Sequence, residues 1–172
     1  MNEPSITRFA YALVACLLLA ACGFRSSPDT TASQRELYKP GMGDLMSALQ
    51  LRHAKLWYAG RAENWPLAAF ELHEIEETLE RIERWHPKED GLPVAPALEG
   101  FLRPAHRVLE ASVANEDRGA FEAAFDDLTQ GCNACHQAMK HEFIVIQRPT
   151  REPVSNQAWA SEDSLERANS HQ

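Results

Sequence analysis

From Met42 onward, apolar or small positions fall at Met46, Leu49, His53, Leu56 and Gly60, with Trp57 beside them, and that period predicts one face of an amphipathic helix. The stretch "GRAEN" interrupts it. Asn64 is placed to N-cap a second helix, with Pro66 in the first turn where a missing N–H costs little. Ala68, Leu72, Ile75, Leu79 and Ile82 form its apolar stripe, while Glu71, Glu74, Glu76, Glu77 and Glu80 read as a solvated face. "HPKEDGLP" ends that helix. A third stripe runs through Leu98, Phe101, Leu102, Ala105, Val108, Leu109 and Ser112, and Pro104 either kinks it or marks its true start. After "ANEDRG" turns the chain, the fourth stripe is Phe121, Phe125, Leu128, Cys132, Cys135 and Met139. Period-two alternation is confined to residues 143–146. Four helices of roughly 18–22 residues with shorter connections predict an all-α fold, an antiparallel up-down-up-down four-helix bundle.

What precedes Met42 has a different pattern. Residues 1–8 are short and polar, and residues 9–21 are almost wholly apolar, too few for the roughly 20 that span a bilayer. They read as a signal peptide over residues 1–21. The end of that segment, Leu19-Ala20-Ala21-Cys22, resembles the lipobox of bacterial lipoproteins, which implies cleavage before Cys22 and lipidation of its thiol. "LVAC" ending at Cys16 has the same form but would halve the apolar stretch, and an ordinary secretory signal would leave Cys22 as a free thiol. All three readings export the protein. Residues 22–41, rich in Ser, Thr and Pro without apolar period, are expected to be a flexible tether. The helical domain is expected over residues 42–149, and residues 150–172 are expected to be a polar mobile tail.

Charge removes one class of function. The net charge is -8, and loss of residues 1–21 removes Glu3 and Arg8 together, leaving it unchanged. So acidic a surface gives no electrostatic reason to bind nucleic acid. No Gly-rich phosphate loop, Gly-x-Ser-x-Gly elbow or second metal motif points to an enzyme.

The chemistry-bearing motif is "CNACH", residues 132–136, on the inward stripe of the fourth predicted helix. Of the four cysteines, Cys16 leaves with the signal and Cys22 is assigned to lipid, so Cys132 and Cys135 remain. A structural zinc site takes four protein ligands, commonly from two such pairs, and there is no second pair. A thioredoxin-like dithiol would follow a strand in an α/β pattern, and a plain disulfide across Cys132 and Cys135 in a non-haem lipoprotein is a further alternative. C-x-x-C-H is the attachment motif for c-type haem. On a helix Cys132 and His136 are one turn apart, so both thiols can reach the haem vinyl groups while the imidazole of His136 meets the iron. Export agrees with that reading, because bacteria attach this haem outside the cytoplasm.

A late C-x-x-C-H on the last helix of an antiparallel bundle resembles the class II c-type cytochromes, the cytochrome c-prime group, over roughly residues 42–146. "RHAKLWYAG" and "ENWPLAAFEL" are not signatures of that group and are more similar to a related branch of exported bundle cytochromes. The resemblance implies one covalent haem c, redox partner proteins in the cell envelope, a periplasmic location tethered to the membrane at Cys22, and a second copy of the chain as a further candidate partner.

The opposite axial ligand must come from upstream, since Met139 and His141 follow His136 on its own side of the haem. If the first and last helices run antiparallel from a shared end at Gly60 and Arg118, His136 lies about 27 Å from that end, Met46 about 21 Å and His53 about 10 Å. Height therefore favours Met46; an open or water-filled site comes next, and His53, a polar group on an apolar face that must find some partner, is the second-choice ligand. His73, His86, His106 and His171 are expected to face solvent. Trp57 and Trp65 are expected in the core, and Lys55, Lys140 and Arg148 are candidates for haem propionates or plain surface charges. A filled sixth position implies electron transfer, and an open one implies binding of small gases such as nitric oxide or carbon monoxide.

Overall fold

The computed structural model describes residues 38–162, so the signal peptide, Cys22, most of the tether and His171 lie outside the described residues. The chain divides into Met1–Lys39 and Pro40–Gln172, and the helices among the described residues lie in the second unit. In order they are α1 (Met42–Arg61), α2 (Trp65–Trp85), α3 (Val94–Phe101), α4 (Arg103–Ala114) and α5 (Arg118–Ala138), with a two-residue hairpin β1 (Lys88–Glu89) and β2 (Leu92–Pro93) between α2 and α3. Among the described residues no helix is long and apolar enough to cross a membrane.

The helix ends follow local chemistry. Asp44 accepts the Gly41 N–H at 3.2 Å and so opens α1. Asn64 accepts from the Leu67 N–H at 3.3 Å, with Pro66 in the first turn of α2, and Asp117 accepts from the Ala120 N–H at 3.0 Å to start α5. Helix α2 stops at His86, before Pro87. Asp90 and Gly91 both take positive φ, 49° and 82°, the conformation that a tight two-residue hairpin needs. The alternating residues 143–146, by contrast, form no strand.

At the third helix the expectation at Pro104 holds and the expected stripe changes. It is divided at Leu102, because Pro104 has no N–H to bond the preceding turn, yet Leu102 stays right-handed and the chain bends rather than reverses. Beyond the bend the buried face is Leu102, His106, Leu109, Ser112 and Val113. Phe101 and Val108, assigned to the stripe, are 39% and 56% exposed. Leu102, Leu109 and Ser112 keep their places, so beyond the bend the buried face turns toward His106 and Val113 and away from Val108.

Cross-helix contacts set the pairing. Arg52 on α1 meets Glu71 at 3.1 Å and Glu74 at 2.9 Å on α2. Arg103 on α4 pairs with Glu76 and, at 2.9 Å, with Glu83. His53 on α1 meets Thr129 on α5, and Gly60 lies under the Phe121 ring, so these two helices run in opposite directions. Their seam is less extensive than that of α1 with α2 or of α4 with α5. At the Gly60 end it is filled by aromatics: Trp57, Phe121 and Phe125 are mutually packed, and Trp65 meets Phe121 edge-on at 6.1 Å. Trp57 and Trp65 thus belong to the core, as expected.

The solvated-face reading of α2 fails for Glu71, which is 0% exposed and held by Arg52, with Lys55 at 3.8 Å. Opposite charges on α1 take it out of water, a compensation that the α2 pattern alone does not carry. Residues 150–162 also depart from the mobile-tail expectation. Trp159 is buried against Tyr58, ring centroids 5.4 Å apart, and its carbonyl accepts from the Asn64 side chain at 2.9 Å. One large aromatic in polar surroundings is enough to dock the segment.

A Cβ on Gly60 would lie 2.1 Å from the Phe121 ring, whereas one on Gly100 meets nothing within 4 Å. Gly60→Ala is expected to destabilise the protein by about 1–3 kcal/mol through overpacking, and Gly100→Ala to be neutral or to gain up to about 1 kcal/mol. Urea unfolding of the two variants checks the contrast.

Candidate cofactor site

Where the aromatics end, the α1–α5 seam opens into a cavity of about 380 Å³, within the range of small-molecule and cofactor sites. Its α1 wall carries Met42, Met46, Leu49 and His53; its α5 wall carries Cys132, Cys135, His136 and Met139. Val94 and Leu98 of α3, with Ile144 and Ile146 beyond α5, complete a mostly apolar lining, at which Ser47, Gln50, Glu89 and His141 also stand. The seam thus brings the C-x-x-C-H residues and both candidate distal side chains to one space.

Cys135 is buried and Cys132 half-buried, both as free thiols. Burial, reinforced by the neighbouring Cys135, pushes the Cys132 thiol up to about 12, and burial also raises Cys135. Reactive redox dithiols are distinguished by the opposite shift. An uncharged thioether suits the surroundings that penalise a thiolate.

His136 is half-buried, and its Nδ1–H donates to the Ile144 carbonyl at 2.9 Å. A carbonyl only accepts, so this bond places the proton on Nδ1 and leaves the Nε2 lone pair for a metal. Among the described residues no three His, Cys, Asp or Glu side chains converge on a point that could hold a metal ion. Haem is a different case, since its tetrapyrrole supplies four nitrogens and asks only one or two ligands of the protein.

His53 is also tautomer-fixed. Thr129 Oγ1 donates to the Phe125 carbonyl at 2.9 Å, so it must accept from His53 Nε2–H, likewise at 2.9 Å, which leaves the lone pair of His53 on Nδ1. The ring lies 4.4 Å from that of Phe125, and burial pulls its pKa down to about 4. Met46 is half-buried. Met42, one turn earlier on the same face, also lines the cavity, and only its spacing from Met46 could have drawn attention to it.

The remaining candidates scatter. Lys55 lies toward Glu71 and Lys140 is exposed. Arg148 bonds Asp126 at 2.9 Å and lies over Trp57, 4.3 Å from its ring centre, so none of the three lines the cavity. His73 is exposed and His86 bonds the Pro40 carbonyl at 2.8 Å. His106 reverses its solvent-facing expectation: it is 3% exposed and donates from Nε2 to the Leu72 carbonyl at 3.2 Å, a consequence of the rotated face of α4. His141 follows His136 as expected, yet it does line the cavity.

Compared with protein-family models, curated proteins and solved structures, the chain matches none.

The depressed pKa of His53 has a thermodynamic consequence. Between pH 6.5 and about 4 the unfolded chain takes up a proton at this ring that the folded chain does not. Stability therefore falls as pH falls through that window, by up to about 3 kcal/mol from this residue once pH is below it. His53→Gln should remove that share, read from urea unfolding at pH 7 and pH 4.5.

Proposed function

We propose that this protein is a monohaem c-type cytochrome of the cell envelope that transfers electrons. The observation that carries the reading is the His136 Nδ1–H bond to Ile144, which leaves Nε2 as the ligating nitrogen on a helix face that shares an apolar cavity with both motif thiols. In this reading Cys132 and Cys135 hold haem c through thioethers, His136 is the proximal ligand, and the bound haem supplies one-electron redox chemistry. The fold is then a class II type four-helix bundle in which α3 and α4 are the two halves of one bent helix. Met46 on the α1 wall is the distal ligand of choice, with His53 second. A sixth ligand lets the charge change with little rearrangement, the property that favours electron transfer over gas binding. Cleavage before Cys22 and lipidation there would tether the domain to the membrane beside its redox partner proteins, and a homodimer is compatible with the bundle.

The test begins with absorbance of the purified protein in alkaline pyridine. A spectrum with two thioethers is expected, and Cys132→Ala or Cys135→Ala should each shift it to the one-thioether form. A parent without c-type haem overturns the proposal in favour of the disulfide lipoprotein. Met46→Ala should make the ferrous iron high-spin and speed carbon monoxide binding, at a packing cost near the low end of about 2–5 kcal/mol. If His53→Ala does this instead, the distal assignment moves about two turns along α1. A parent already high-spin and fast toward carbon monoxide replaces electron transfer with gas binding.

Cys22→Ser tests the tether separately. It should block processing by the lipoprotein route and leave the precursor uncleaved, and unchanged processing and membrane association would remove the lipid assignment.

A further inference from the structure

We infer that Asn133, inside the motif but neither thiol nor ligand, is a positioning residue for His136. It acts through a strap formed by residues 141–148. The inference rests on the haem reading of His136 and adds to it a device that orients the imidazole and sets its donor strength.

After α5 the chain reverses at Lys140, where φ is +63°, and returns along the helix. Three contacts record the register: His136 with Ile144, Asn133 with Ile146, and Asp126 with Arg148. As the strap number rises the α5 number falls, so the strap runs antiparallel to the helix. Alternate residues face alternate ways, with Ile144 and Ile146 lining the cavity and Phe143 and Val145 77% and 72% exposed. This is the period-two run of the sequence, used as an extended segment without a strand partner.

A side chain replaces that partner. Asn133 Oδ1 accepts the Ile146 N–H at 2.7 Å and Asn133 Nδ2 donates to the Ile146 carbonyl at 2.9 Å. The carboxamide carries one acceptor and one donor in a single plane, the same pair that a peptide group would offer. Aspartate keeps only the acceptor and alanine neither. Ile144 is two residues from this clamp, so its carbonyl is held where the Nδ1–H of His136 meets it. A well-placed acceptor at Nδ1 makes the imidazole a stronger donor to a metal and stops its rotation. Ferric iron gains more from a stronger donor, so the clamp lowers the reduction potential.

The experiment uses the haem-loaded protein and reads the midpoint potential together with hydrogen exchange of the Ile146 amide. Asn133→Ala should retain the two-thioether pyridine spectrum, raise the potential, and reduce Ile146 protection by roughly tenfold. Asn133→Asp, which still accepts the Ile146 N–H, should recover part of both. Ile146→Pro removes that N–H from the strap side without touching the haem-attachment motif, and should move the potential the same way. Phe143→Ser, on the outward face, should leave the potential in place. Lost protection with an unmoved potential overturns the proposal while leaving the haem reading intact, as does unchanged protection in Asn133→Ala. A parent lacking c-type haem removes the reading itself, and the positioning role with it.

Discussion

Helix α5 is pinned at two places where its neighbours leave no room for a side chain. Near its start the Phe121 ring lies on Gly60, at a distance that a Cβ there would reduce to 2.1 Å; further along, a Cβ on Gly131 would come within 2.4 Å of the Phe101 carbonyl. The first seats an aromatic ring on the α1 backbone and the second brings two backbones together, so between them they fix the rotation and the height of α5. Gly131 immediately precedes the motif, and Phe101 stands at the bend between α3 and α4. The bend that displaces Phe101 and Val108 from the core is thus also where the third helical element meets the site-bearing helix.

Between those pins the α1–α5 seam changes character. Toward Gly60 it is packed with aromatic rings and toward Met42 it opens, with His53 at the junction. Its Nε2–H satisfies Thr129 while its ring lies against Phe125 on one side and the cavity on the other. Charge is handled elsewhere. Arg52 and Arg103 sew α1 to α2 and α2 to α4 through residues that do not line the cavity, so ion pairing holds those two seams and apolar burial the α1–α5 one. Glu71 is the extreme case, with both neighbouring cations on α1 and one carboxylate oxygen left without a hydrogen bond.

Residues that answer to a helical period were legible in the sequence. Ala68, Leu72, Ile75, Leu79 and Ile82 are all buried, as are Phe121, Phe125, Leu128, Cys135 and Met139. So was the convergence of the motif and the α1 face, since antiparallel neighbours of similar length must bring Met46 near Cys135. The failures came where a contact partner lies far along the chain. Burial of Glu71 depends on Arg52, burial of His106 on the carbonyl of Leu72, and docking of Trp159 on Asn64 and Tyr58. The alternation of residues 143–146 was visible, but not the side chain that takes the place of a strand.

The protonation of the cavity lining narrows what it suits. Burial holds His53 neutral by pulling its pKa down to about 4 and holds Cys132 neutral by pushing its thiol up to about 12. The main cause of both, exclusion of water, shifts a base and an acid in opposite directions, and both shifts remove charge. A metalloporphyrin brings its own neutralising ligand and a broad apolar face, and it converts the thiols into groups that never ionise. In the reading proposed above, thioether formation takes out of this buried space the thiols whose ionisation it disfavours, and the Nε2 lone pair of His136 would be the protein's contribution to the iron.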